Sequence, residues 1–172
     1  MSEEIDKVRD LIILGRTAPE PIRDGRHTVC LGGYSESHGY IRLYPTQRWM
    51  DKCKRWNVVS VPVEEPMQDT RDESYKIRGS KSDWGNLHKK IKYVDTLPKT
   101  KQIQLVDELA GDCTIRLNEN RVSLGMVEPG EIIEVYIEEN EDTTFQMDLG
   151  MNERKGKNDY PQKLYIKYRC QD

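Results

Sequence analysis

The chain has 172 residues, of which 33% are charged and 35% are hydrophobic, with a formal net charge of −3. This length suits one domain or two small domains packed together, and no stretch approaches the ~18–20 apolar residues that cross a bilayer. The N-terminus is charged, and the apolar run at residues 11–14 is too short for the core of a signal peptide. We therefore expect a cytoplasmic protein with no membrane partner.

Short β-prone runs separated by turn signals dominate the first half of the chain. In chain order the predicted elements are a short helix or frayed arm (1–9), a strand (11–14), a loop (16–26), a β-hairpin (27–45), an amphipathic helix (46–56), a strand (57–66) and a polar, turn-rich segment (66–85). Alternation puts Ile41 and Leu43 on one face of the hairpin's second strand. Tyr40, Arg42 and Tyr44 then share its opposite face.

The strand predicted at residues 57–66 has the clearest pattern of this half. Val59, Val61 and Val63 alternate along it and share one face. Pro62 has no N–H to donate to a neighbouring strand, so it predicts an edge strand or a bulge.

The second half mixes helical and strand patterns. Its predicted elements are a helical pattern broken by Leu97-Pro98 (86–109), two strands around a turn (112–117 and 121–127), a strongly alternating strand (131–139), a loop (151–162) and a final strand (163–170). The sum predicts a mainly β protein with two minor helices, built as a small OB-like barrel or as two fused barrels. We expect one compact unit, or sub-barrels at about 10–95 and 96–170.

The net charge conceals a separation of charges along the chain. Residues 42–101 hold fourteen Lys and Arg against eight Asp and Glu, whereas residues 128–148 hold eight acids and no base. Residues 153–172 are basic again, with six bases and three acids. The value of −3 is therefore a cancellation, and it does not decide for or against a nucleic-acid partner.

Aromatic side chains are interleaved with the basic ones, as in grooves that bind single strands, where cations follow the phosphates and rings stack on bases. The candidate binding residues are Tyr40, Arg42, Tyr44, Arg48, Lys54, Arg55, Trp56, Arg71, Tyr75 and Trp84. The alternative is that the tryptophans belong to the core and the lysines to a solvated face.

Motifs for catalysis and metal binding are scarce. The chain has no phosphate-binding glycine loop, no nucleophile elbow, no paired histidines and no closely paired cysteines. We therefore predict no catalytic residues, no cofactor and no metal ligands. One acidic cluster leaves two readings: Asp69, Asp72 and Glu73 could hold Mg²⁺ in a nuclease-like site, or the same residues could cap a turn.

Three segments carry a resemblance. The hairpin VCLGGYSESHGYIRLYPTQRW, the strand KRWNVVSVPVEE and the turn DTRDESYKI resemble a prokaryotic and phage family that we connect to the dual OB-containing domains found near mobile elements and defence genes. The resemblance implies β-barrels of nucleic-acid-binding type. The residues that match its motifs are Cys30, Gly33, Gly39, Arg42, Pro45, Trp56, Asp69, Arg71, Glu73 and Ser74.

The sequence thus predicts a non-catalytic nucleic-acid-binding module, an accessory subunit in a defence or mobile-element complex. Two alternatives stay open. One is a protein-interaction subunit whose partner docks on the acidic hairpin at residues 128–148, through Glu134 and Glu138. The other is a small Mg²⁺-dependent nuclease.

Overall fold

The computed structural model divides the chain into two compact units. We call residues 1–20 and 27–127 the barrel unit, and residues 21–26 and 128–172 the ribbon unit. The structure describes residues 6–21, 27–47, 50–79, 82–139, 145–147, 153–155 and 162–171.

Strands make up most of the described residues. They are β1 (Lys7–Arg16), β2 (Glu20–Pro21), β3 (His27–Ser35), β4 (Gly39–Gln47), β5 (Asn57–Glu64), β6 (Ser74–Ile77), β7 (Lys92–Thr96), β8 (Ala110–Asp112), β9 (Met126–Val127), β10 (Pro129–Glu139), β11 (Phe145–Met147), β12 (Glu153–Lys155) and β13 (Gln162–Cys170). The helices are α1 (Leu87–Lys90), α2 (Lys99–Leu109) and α3 (Thr114–Glu119), and a 3₁₀ turn, Trp84–Asn86, precedes α1. None of these helices has both the length and the apolar character that a membrane crossing needs.

Five strands of the barrel unit close into a barrel in the order β1-β3-β4-β6-β5 and back to β1. The β4–β6 pair is parallel and the other four pairs are antiparallel. Closure depends on β1, which pairs with β5 from Lys7 to Ile12 and with β3 from Ile12 to Arg16. A closed barrel leaves no open sheet edge. The prediction of a mainly β protein with a small OB-like barrel is confirmed.

The barrel interior is filled by alternate residues of these strands. Val59, Val61 and Val63 are fully buried, as are Ile41 and Leu43, which confirms the predicted faces of β4 and β5. α1 adds Leu87 to the same cluster. Each such side chain contributes about 1.5–3 kcal/mol when it leaves water, so this core is the main source of the barrel's stability.

Pro62 is not in an edge strand, so that part of the prediction is wrong. β5 lies between β1 on one side and both β6 and β7 on the other. Its residues 57–60 pair with β7 and residues 63–64 with β6. Pro62 falls between those two ladders, where its missing N–H breaks neither of them.

Several local predictions are wrong. Strand β4 continues to Gln47 and residues 51–52 and 55–56 are turns, so the described part of 46–56 is not a helix. Residues 114–117 of the predicted strand at 112–117 belong to α3. Strand β1 begins at Lys7, where a helix or an arm was predicted, and β6, β7 and β12 fall in segments predicted as turns, helix and loop. The predicted break in the helical pattern at Pro98 is confirmed, because α2 begins directly after this residue.

Paired strands make up most of the described part of the ribbon unit. β10 and β13 form a long antiparallel ribbon, and β11 and β12 form a short one. The two strands predicted at 131–139 and 163–170 are therefore confirmed.

Candidate nucleic-acid interface

A groove of about 600 Å³ follows the outer face of β3 and β4. Tyr40, Arg42 and Tyr44 line it, so the structure brings these three predicted residues together. Gly32 of β3 pairs with Arg42 across the ladder and also lines the groove. The alternation of β4 positions this set, since the intervening residues point into the core.

Arg42 is held in a fixed orientation. Its guanidinium donates to Asp69 Oδ2 at 2.8 Å and to Ser74 Oγ at 3.3 Å, and it lies 4.9 Å from the centre of the Tyr44 ring. The side chain is only 14% exposed. Arg42 and Tyr44 therefore form a stacked pair, and Asp69 balances the positive charge of Arg42.

The turn that follows β5 supplies this counter-charge. Asp69 also accepts two hydrogen bonds from the Arg71 guanidinium, both at 2.7 Å. The hydrogen bonds from Arg71 hold the pKa of Asp69 well below its usual range. The turn therefore positions Arg42 by an ion pair that stays charged at neutral pH.

The three carboxylates of the acidic cluster, for which a Mg²⁺ site was one of two readings, have different surroundings. Glu73 accepts from the backbone N–H and the hydroxyl of Ser123, at 2.7 and 2.8 Å, while Asp72 is exposed. Although partial burial raises the pKa of Glu73, the hydrogen bonds from Ser123 bring it below its ordinary value. In the described ranges no three His, Cys, Asp or Glu side chains come together as a metal site. Asp69 accepts from the backbone N–H and the guanidinium of Arg71, as in the turn-capping alternative, whereas Glu73 bonds to a segment fifty residues away.

A segment that sequence reasoning missed forms one wall of the groove. Residues 123–126 line it, and a β-carbon placed at Gly32 comes within 3.0 Å of Leu124 Cδ2. Met126 N–H donates to Asp112 Oδ2 at 2.8 Å, which ties the segment to β8. One signal for such a contact was Gly32, a small residue at an outward position where a side chain could pass closely.

This segment changes the role predicted for Tyr40. Burial, followed by the nearby Asp112 carboxylate, raises the pKa of Tyr40 to about 12. The Tyr40 ring packs edge-to-face on Tyr34, with the ring centres 5.6 Å apart. Tyr40 is therefore partly covered and packed against Tyr34, and Tyr44 is the other predicted aromatic residue that lines the groove.

A second cavity, of about 390 Å³, adjoins the groove. Gly15 and Arg16 line both spaces, and Lys54 and Arg55 line the second one. Arg16, Lys54 and Arg55 are exposed, as is Asp51, so three positive charges and one negative charge lie on the surface that continues from the groove. Arg16 was not among the predicted residues, because it precedes the basic stretch and reaches this surface only through barrel closure.

Residues 7–108, more than half of the chain, match a family described as a domain of unknown function, DUF8758. The chain belongs to the DUF8758 family. The match spans all five barrel strands and ends in α2, so the DUF8758 region contains β3, β4 and the basic cavity. The wall at residues 123–126 and the ribbon unit lie outside the match. No curated protein and no solved structure matches the chain.

The remaining predicted residues lie elsewhere in the DUF8758 region. Tyr75 and Trp84 pack against the core cluster, so their environment is that of the core alternative. Arg71 lies in the turn with Asp69 and contributes to the same ion-pair network. Arg48 lies outside the described residues.

Trp56 directly precedes β5 and has an unusual backbone conformation. Its φ of 71° lies in the left-handed region, which non-glycine residues seldom adopt. Two main-chain hydrogen bonds hold it there: Trp56 N–H donates to Ile13 O at 2.7 Å, and Leu97 N–H donates to Trp56 O at 2.8 Å. In the DUF8758 barrel this residue therefore connects β1, β5 and the chain after β7.

Proposed function

We propose that the DUF8758 barrel binds single-stranded nucleic acid along the outer face of β3 and β4. The observation that carries the proposal is the position of the groove. β3 and β4 are the second and third strands of a closed five-stranded barrel, and OB folds bind oligonucleotides on the face of those two strands.

The chemistry of the groove fits a polyanion with flat bases. Arg16, Lys54 and Arg55 supply exposed positive charge beside the groove, where they can contact the phosphates of a bound strand. The Arg42–Tyr44 stack supplies a planar surface inside it, and base stacking on an aromatic ring contributes about 1–3 kcal/mol per base. The bases would therefore lie over Tyr44, with the phosphates toward Arg16 and Lys54.

The test is fluorescence anisotropy of the full chain with labelled single strands of about 12 nucleotides, since one OB fold covers about 4–16. DNA, RNA and duplex DNA form separate arms, each measured at several salt concentrations. Binding to a single strand that weakens with salt is the expected result. The proposal fails if no single strand binds at low salt, where electrostatic attraction is strongest.

A matched pair of variants locates the site. Arg16→Gln with Lys54→Gln should weaken binding and reduce the salt slope by about 0.7 for each lost phosphate contact. Lys99→Gln with Lys101→Gln removes the same charge from exposed positions on α2 and is the control. Equal loss in both variants would show that only net charge matters and would contradict a site on this face.

Substitutions of Tyr44 distinguish the contribution of base stacking from that of phosphate contacts. We expect Tyr44→Ala to weaken binding by about tenfold, while Tyr44→Phe keeps the ring and most of the affinity. The salt slope should be the same in both variants, because neither changes a phosphate contact. Equal affinities for the two variants would place the bases elsewhere.

A further inference from the structure

The β10–β13 ribbon has one charged face and one apolar face. On the charged face the register sets Glu131 opposite Arg169, Glu134 opposite Lys167 and Glu138 opposite Lys163. Arg169 Nη1 lies 2.6 Å from Glu131 Oε2. The rings of Tyr136 and Tyr165 stack between these pairs, with centres 5.3 Å apart. This face is therefore balanced in charge by its own cross-strand pairs.

The opposite face holds no charged side chain between Ile132 and Ile137. An extra residue at Ile133 shifts the register, so that Ile132, Val135 and Ile137 share this face. Their cross-strand partners complete a set of six: Ile132, Val135, Ile137, Leu164, Ile166 and Tyr168. Ile137 is 61% exposed and Leu164, directly opposite, is 65% exposed.

Such a ribbon is marginally stable by itself, because two strands bury little of their own apolar surface. The described residues leave the apolar face open to solvent. Five of the six side chains are 52–65% exposed and Tyr168 is half-buried. The face therefore offers on the order of 600 Å², so two copies together would bury about 1,200 Å², the lower limit of a stable interface.

We propose that the apolar face of the β10–β13 ribbon is a homodimer interface that packs against the same face of a second copy. An uncharged face packs best against another uncharged surface. The same face of a second copy, related by a two-fold axis, is such a surface and has the same strand spacing. Pairing of ribbon edges is a poorer solution. An antiparallel β10–β10 contact sets glutamates beside glutamates, and β13–β13 sets basic residues together.

The first measurement is sedimentation velocity of the full chain from about 1 to 100 µM, the range in which a modest interface dissociates. The expected result is a concentration-dependent shift to twice the 20.1 kDa mass of the chain. A monomer over the whole range overturns the proposal, whatever the nucleic-acid experiment shows.

Two neighbouring substitutions then identify the face. Ile137→Lys should raise the dimer dissociation constant by about a hundredfold, because the interface would bury an unpaired charge. Tyr136→Lys makes a comparable change at the next residue, on the opposite face, and should leave the dimer intact. Dissociation by Tyr136→Lys with Ile137→Lys still dimeric would overturn the proposal.

A milder variant guards against loss of the ribbon itself. Val135→Thr with Ile166→Thr alters a directly opposed pair and keeps β-branched side chains, which favour strands. It should weaken the dimer while the amide protons of β10 and β13 in the dissociated chain still exchange more slowly than those of an unstructured peptide. An unchanged dissociation constant would show that this face is not the interface.

Discussion

The barrel and the ribbon have the same alternating pattern and opposite surroundings. Val59, Val61 and Val63 of β5 are fully buried, whereas Val135 and Ile137 of β10 are 57% and 61% exposed. A period of two shows which side chains share a face of a strand. It does not show whether another layer covers that face.

Closure of the barrel explains the difference in burial between β5 and β10. β5 has neighbours on both sides and a barrel interior on its apolar face, so its valines share one core cluster with side chains of β1, β3, β4 and β6. β10 has β13 as its neighbour among the described strands, and a two-stranded ribbon encloses no interior. The comparison predicts that equal substitutions have unequal effects in the two regions.

The largest effect is expected in the core. Leu43→Ala removes a fully buried side chain of β4 and should lower the free energy of unfolding by about 2–5 kcal/mol. In the monomeric chain, Val135→Ala in the ribbon should change the free energy of unfolding by about 0.5 kcal/mol or less, because the side chain is exposed there. Urea unfolding measures both, and fluorescence reports on the barrel unit, where Trp56 and Trp84 lie. Similar costs for both variants would contradict the comparison.

Glycine positions give a second, smaller contrast. A β-carbon at Gly33 would lie 2.6 Å from Leu11 Cδ1 and 2.7 Å from the Ile12 carbonyl oxygen. Gly33→Ala should therefore lower the free energy of unfolding by about 1–3 kcal/mol through overpacking. At Gly130 of the ribbon the nearest atoms are at 3.2 Å, and at Gly15 nothing lies within 4 Å.

In urea unfolding, Gly33→Ala should have the lowest free energy of unfolding, Gly130→Ala an intermediate value and Gly15→Ala the highest. Gly15→Ala is the control, because it adds the same methyl group in open space. If Gly15→Ala lowers the free energy of unfolding as much as Gly33→Ala does, the cost comes from the backbone and not from the packed interior.

Local pattern was enough to predict the strands whose side chains alternate. The hairpin of β3 and β4 and the valines of β5 followed from periodicity and turn residues. The segment at 46–56 failed because its helix-like spacing serves another purpose: Met50 and Cys53 enter the barrel core from a turn. α3 was missed because a short run containing Thr114 and Ile115 has the composition of a strand.

The candidate site was predictable only on the strand that carries it. Alternation placed Tyr40, Arg42 and Tyr44 on one face, as the structure does. Their partners come from distant parts of the chain: Asp69 is 27 residues from Arg42, and Ser123 is 50 residues from Glu73. No local pattern encodes such contacts, so the covering of Tyr40 and the pairing of Arg42 emerged only from the fold.

Ion pairs should give the smallest difference in stability between the barrel and the ribbon. Asp69 is 21% exposed and bonds to both Arg42 and Arg71, whereas Glu131 and Arg169 of the ribbon are 59% and 70% exposed. Asp69→Asn should therefore lower the free energy of unfolding at pH 7 by about 1–2 kcal/mol. Glu131→Gln should lower it by less than about 1 kcal/mol, because water and salt screen an exposed pair.

The pH dependence gives the sign of the Asp69 contribution. Hydrogen bonds from Arg71 lower the pKa of Asp69 in the folded chain, so this carboxylate stabilises the fold above its unfolded pKa of about 3.9. The contribution is lost as the pH falls through the lower, folded pKa. Wild type and Asp69→Asn should therefore differ by a constant amount above about pH 4 and converge in stronger acid. A difference that grows below pH 4 would mean that protonation of Asp69 stabilises the fold, which contradicts the ion-pair network around Arg42.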